Sequence, residues 1–329
     1  MKKIKTLIAF AVAFVFATAS LSAYEVPENW SFYIGTDMAY YPLSAKISAN
    51  PYDHFATITG PYSGLEGRVT AHADYKIATP LGSSWLVKNA NVVLGSALEI
   101  SPVSVKPQVS VSFTPLPFLV FSAGAQAGTG WNLLGLQGMA AYNGGEGYED
   151  LTPFKNYFLK WWAQGTFQFD TGAIFAGDWT HVVLQYSYQV YYERISGVDN
   201  QTVWNWQCSG NKVNGLKNYQ CGILAYQMPL VLYRAGVMFE LDGYYDSAVY
   251  ANPDYNGDFK QISISPLIQL KFNRHNTLSI LFGFSSRRAY EAQTASNAPE
   301  IYDYNHADSV YTSREWYFNR IALSWTFTF

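Results

Sequence analysis

His72, Asp74 and Lys76 stand at alternate positions of one segment, so in an extended strand all three side chains share a face. An imidazole beside a carboxylate can serve as a general base. The same three groups also fit a structural charge network, because ion pairs perturb titration without doing catalysis. Asp254, Asn256 and Asp258 space oxygen ligands like the start of a calcium loop, but the twelfth position is Ser265 rather than a bidentate glutamate. Asn256-Gly257 reads equally as a hairpin turn. Cys208 and Cys221 are the two cysteines of the chain. In a secreted protein they are expected to pair, closing a loop of about 14 residues and contributing on the order of 3 kcal/mol by chain-entropy reasoning. A zinc site would need further ligands nearby, and the sequence offers none. With no GxGxxG or P-loop pattern, no cofactor is expected.

The elements that position these residues follow from composition and periodicity. Aromatic residues make up 17% of the chain and charged residues 14%, against about 25% charged in an average soluble protein. Lys2, Lys3 and Lys5, an apolar run from Leu7 to Ala19 and small residues up to Ala23 form a signal peptide, residues 1–23, with Ala17-Thr18-Ala19 as a second possible cleavage motif. Its core falls short of the roughly 20 residues of a spanning helix. Residues 24–329 then read as one domain of alternating strands. Lipid-facing and water-facing side chains that alternate along tilted strands account for both the aromatic content and the unremarkable mean hydropathy of −0.05. The expected fold is therefore all-β, a transmembrane antiparallel up-and-down barrel.

About twelve strands are predicted, at 30–41, 66–78, 90–101, 103–114, 118–131, 157–170, 180–194, 221–229, 231–242, 259–272, 277–288 and 314–329. Pro229 interrupts the eighth, which leaves ten strands as an alternative, with fourteen also open. Short turns at 114–117 and 273–276 contrast with long connections at 42–65, 132–156, 195–220, 243–258 and 289–313, which fall together at one end. Alternation gives each strand a wet face. Gln261, Ser263, Ser265, Gln269 and Lys271 oppose Ile262, Ile264, Ile268 and Leu270, and His181, Gln185, Ser187, Gln189 and Glu193 oppose Val182, Leu184, Tyr186, Tyr188 and Val190. Applied throughout, this predicts lumenal bases at Arg68, Lys76, Lys106, Lys160, Arg234, Lys271, Arg287 and Arg320. The predicted lumenal acids are Asp37, Asp74, Glu99, Asp170, Glu193, Glu240 and Asp242, with His72 beside them. The two signs nearly balance, so neither anion nor cation selectivity is expected.

The final residues, Ile321 to Phe329, carry apolar side chains at Ile321, Leu323, Trp325, Phe327 and Phe329. This pattern resembles the insertion signal of bacterial outer-membrane β-barrels of porin-like type, and implies assembly by the barrel-insertion machinery into outer-membrane lipid. The stretch from Thr114 to Asn132 is similar to hairpins of spirochaetal barrels. Outer-membrane phospholipases carry a His-x-Ser pair, but His181 is followed by Val183 and His72 by Asp74. Omptin proteases carry Asp-x-His and Asp-Asp pairs, whereas His306-Ala-Asp308 reverses the first and stands alone. An enzyme is not expected.

The expected function is a channel for small hydrophilic solutes. The rival is a closed barrel whose long loops, including Trp204, Trp206 and Tyr219, bind a surface ligand. The 132–156 loop either constricts the lumen or caps its rim. A net charge of −3 argues against nucleic acid as a partner.

Overall fold

A computed structural model describes residues 26–41, 65–143, 148–207, 209–250, 257–290 and 311–329. The signal peptide, the His306-Ala-Asp308 triplet, Cys208 and most of the calcium-like segment lie outside them.

Twelve antiparallel strands close into a barrel in which every strand pairs with its neighbours in the chain and the last pairs with the first. They are β1 (Trp30–Tyr40), β2 (Leu65–Ala78), β3 (Asn91–Ser101), β4 (Ser104–Leu116), β5 (Leu119–Gly130) and β6 (Phe158–Asp170). The second half comprises β7 (His181–Ile195), β8 (Gly215–Gln227), β9 (Leu232–Tyr244), β10 (Gln261–Lys271), β11 (Asn276–Tyr290) and β12 (Tyr311–Thr328). Each has at least the roughly 9–11 residues that a tilted strand needs to cross hydrocarbon.

The eighth strand corrects the sequence reading. It spans Gly215–Gln227 rather than 221–229, and Pro229 lies in the turn to β9, where Met228 N–H donates to Tyr233 O at 2.8 Å. Proline has no N–H to give a ladder, so it is excluded from the strand and accommodated in the turn. Tyr219, expected in a long loop, consequently belongs to the barrel wall.

The outward face is apolar. Val109 is 61% exposed and Leu224 51%, while Leu94, Val111, Leu184, Ile264 and Leu323 are also exposed. In water this surface would have no partner; in a bilayer it is the lipid contact. Aromatic side chains gather toward its edges. Trp30 stacks on Phe32 with ring centroids 5.5 Å apart, Phe272 on Trp325 at 5.6 Å, and Trp161 on Tyr192 at 5.6 Å. The chain is thus a membrane-spanning β-barrel. The terminal aromatics take part in closure: Phe327 is buried, its ring edge-on to Phe329 at 5.2 Å, and Phe329 N–H donates to Phe32 O at 3.1 Å.

One end carries the turns at 117–118, 228–231 and 272–275, and the connections 79–90 and 171–180; the other carries 131–157, 196–214 and 245–260. In the 171–180 connection Asp170 accepts from Gly172 N–H at 2.8 Å, capping a 3-10 turn over Thr171–Ala173.

Candidate functional site

The register of the ladders fixes which side chains enter the lumen. Asp37 opposes Arg68, Glu99 opposes Lys106, Lys160 opposes Glu193, Cys221 opposes Glu240, and Gln227 opposes Arg234. Directly opposed residues share a face.

At the long-loop end, two connections fold back together. Residues 209–212, 204–206, 139–142 and 148–150 form a four-stranded sheet in that order, outside the barrel ladder. Trp204 is fully buried and Trp206 is 4% exposed. Trp206 stacks on the inward ring of Phe158, with centroids 4.6 Å apart and planes 16° from parallel. It also covers Gly128, where a Cβ would come within 2.8 Å of the indole, so only glycine lets the ring lie against the wall. Gln207 then reaches the far side: its Nε2 donates to Glu99 Oε1 at 2.8 Å on β3 and to Ser104 Oγ at 2.7 Å on β4. A segment rooted between β7 and β8 therefore crosses the mouth. Gln207 has φ 51°, a left-handed backbone that an L side chain adopts at some cost.

Three charge networks sit near this sheet. In the first, Arg68 Nε meets Asp37 Oδ2 at 2.9 Å, while Arg68 and Lys106 approach Glu99 at 3.5 and 3.1 Å. In the second, buried Glu193 receives Lys212 at 3.6 Å and Lys217 at 3.4 Å, and Lys217 also meets Asp242 at 2.7 Å. Tyr191 donates to Asp242 at 2.6 Å, and the Lys160 ammonium lies 3.9 Å from the centre of the Tyr191 ring. The third joins Arg320 on β12 to Glu240 on β9 at 4.0 Å, with Tyr219 donating to Glu240 at 2.6 Å. At the rim Tyr41 donates to Glu66 at 3.0 Å; burial and that carboxylate push the Tyr41 hydroxyl up to about 12, so it remains a donor.

Lys217, Glu66 and Gln207 were not among the residues expected in the lumen. Lys217 was missed because β8 was placed too late in the chain; its alternation with Tyr219 and Cys221 was the available signal.

The remaining predicted residues lie apart from these networks. His72 stacks flat on Tyr33 at 4.2 Å, and no hydrogen bond joins it to Asp74 among the described residues. Lys76 is exposed toward the short-turn end. There Arg234 donates to Gln227 at 2.9 Å, Lys271 lies 5.0 Å from the Tyr233 ring, and His181 Nδ1 meets Asp170 Oδ2 at 2.9 Å. Arg287 lies over the Tyr317 ring at 4.5 Å. Cys221 is on the inward face of β8, but its expected partner Cys208 is outside the described residues.

Between these groups the wall is neutral and polar. Gln126 Nε2 donates to Gln108 Oε1 at 2.5 Å, Gln189 Nε2 to Gln164 Oε1 at 2.9 Å, and Gln164 Nε2 to Thr166 Oγ1 at 3.0 Å. Trp162 lies between the two amide pairs, its ring laid against Gly124 on β5. Among the described residues no cluster of His, Cys, Asp and Glu has metal-site geometry.

No family model matches the chain, and neither does any curated protein. Among solved structures, the chain is similar to the beta domain of the Bordetella autotransporter BrkA, with TM-score 0.42 and 9% identity over 92% of this chain and 100% of that one. It is also similar to the NanC porin, with TM-score 0.37 and 8% identity over 89% and 98%. LpxR from Salmonella typhimurium gives TM-score 0.36 and 8% identity over 90% and 100%.

Proposed function

We propose that the protein is an outer-membrane, porin-like channel for passive diffusion of small hydrophilic solutes, with its long loops outside and its short turns in the periplasm. The observation that carries this reading is the asymmetry of the lumen. The β3 to β8 side holds the inserted sheet. Six strands away from β6, the wall of β11, β12 and β1 presents Ser279, Ala322, Ser324, Thr326 and Gly35 alongside Tyr33, Asp37 and Arg320. Eight strands enclose a bore that side chains can fill and 16 to 18 leave a wide aqueous channel, so about twelve with a patch of small residues on one wall favour a narrow wet path. The protein would act by transport rather than catalysis, without a cofactor.

The specific observation favouring a second reading, a closed barrel that displays its loops to a ligand, is the bridge from Gln207 to Glu99 and Ser104. Single-channel recording of the folded protein in a planar bilayer, with neutral-solute exclusion, separates the two. Stable small steps are expected; silence from protein shown to be inserted would refute the channel and leave the closed barrel.

A further inference from the structure

Trp162 is the one large aromatic on the inward face of β6 below the inserted sheet, four residues beyond Phe158 and so roughly 13 Å further along the strand. The Cζ2–Cη2 side of its ring lies against Gly124, and among the described residues no aromatic ring stacks on it. Its neighbours on the wall are Tyr191, directly opposite, and two amide pairs, the pair toward the mouth sharing its row with Lys160 and Glu193. The ladder places Ser110, Gly124, Trp162 and Tyr191 in one row across β4, β5, β6 and β7. Gln108 and Gln126 lie one row toward the mouth, and Gln164 and Gln189 one row toward the turns.

The two amide pairs leave groups unused. Once Gln126 has donated to Gln108 and Gln189 to Gln164, no protein partner among the described residues takes up Gln108 Nε2, Gln126 Oε1 or Gln189 Oε1. A side-chain amide offers two donors and an acceptor, so each pair presents both kinds of group to the lumen. An indole face flanked above and below by unspent amide donors and acceptors is complementary to a ring that has an apolar C–H face and a hydroxyl edge. Of the nearby charges, Glu193 is held by Lys212 and Lys217, and the Lys160 ammonium lies over the Tyr191 ring.

We infer that Trp162, Gln108, Gln126 and Gln189 form a binding site for a neutral saccharide in the lumen, the ring stacking a pyranose and the amides pairing with its hydroxyls. This rests on the channel reading only for the way the sugar reaches the site.

The test uses the folded full-length protein and two readouts. Binding of maltotriose is measured by calorimetry in detergent, which does not require conduction, and block of single-channel current by the same sugar is measured in a bilayer. A glucuronate trimer serves as the acidic comparison. The wild type is expected to bind maltotriose more tightly than the acidic trimer. Trp162→Ala is expected to weaken binding about tenfold or more. Gly124→Ala, whose new methyl would meet both the Trp162 ring and the backbone oxygen of Val109 on β4, is expected to do the same while retaining the indole. Heat-modifiable gel mobility checks that each variant is folded. Binding that both variants weaken, without current steps, supports the site and overturns the channel. Current steps without maltotriose binding overturn the site and leave the channel standing. Equal binding by wild type and folded Trp162→Ala, or preference for the acidic trimer, also overturns it.

Discussion

Unseating the inserted sheet should widen the conducting path without unfolding the barrel. The perturbation is the pair Trp206→Ala and Gln207→Gly. Removing a buried, stacked tryptophan costs about 3–5 kcal/mol of whatever its packing holds in place. The two Gln207 bonds, one of them to a carboxylate, are together worth about 2–4 kcal/mol. Glycine at position 207 returns about 1 kcal/mol, because its φ of 51° no longer carries a side chain. Adjacent residues do not add independently, so about 4 kcal/mol is the working figure. That shifts the ratio of seated to unseated sheet by about three orders of magnitude. None of the lost contacts belongs to the twelve-strand ladder, so gel mobility and thermal unfolding of the barrel should stay within a few degrees of wild type. In planar bilayers the variant should show a larger unitary conductance, or flicker between a small and a large level, and should admit neutral polymers that the wild type excludes. Unchanged conductance and exclusion from a folded, inserted variant would refute the assignment of this sheet as the constriction.

Replacing Lys160, Arg234 or Arg320 with glutamine removes one lumenal cation each, so reversal potentials in a salt gradient should move toward cation selectivity; no movement in a conducting barrel would contradict their placement in the ion path. Glu193→Gln leaves Lys212 without its carboxylate and buried Lys217 with Asp242 alone, a loss of about 1–3 kcal/mol to be read as a lower unfolding temperature. Deleting Phe329 removes its bond to Phe32 O and its ring contact with Phe327, and should lower the yield of inserted barrel in cells more than it lowers the stability of whatever does insert. Asp170→Ala removes the cap on the 3-10 turn and the contact with His181, at about 1 kcal/mol, and should leave conductance unchanged.

The barrel was legible because period-two alternation has few competing explanations over twelve consecutive segments. Gln261 to Lys271 shows why: Gln261, Ser263, Gln269 and Lys271 alternate with Ile262, Ile264, Ile268 and Leu270, and a slip of one position would put every isoleucine in water. The start of β8 was weakly legible, because Gly215-Leu-Lys-Asn-Tyr219 has the composition of a loop, and the short alternation of Lys217, Tyr219 and Cys221 is outweighed until pairing with β7 and β9 makes it a strand. The inserted sheet was hidden for a different reason. Its strands are three or four residues long and its central pair joins two separate loops, so no local period marks them. Trp204 and Trp206, whose place in a long loop suggests surface recognition, are buried in this sheet instead. Charge placement followed from alternation, but the amide pairs around Trp162 did not, since glutamine on a wet face carries no signal of what it bonds.

The seam between β1 and β12 has a kinetic consequence. Tyr33 pairs with Thr328 and Tyr40 with Ile321, so the ring is completed by contacts between segments at opposite ends of the domain. Eleven neighbour pairings can proceed locally, but each intermediate exposes two unpaired strand edges that hydrocarbon does not tolerate. The closing step carries the largest sequence separation of any contact in the domain and is expected to be slow. Until the final strand docks, the half-built sheet must be shielded at both margins, and a stalled molecule would present β1 as a template for a neighbouring chain.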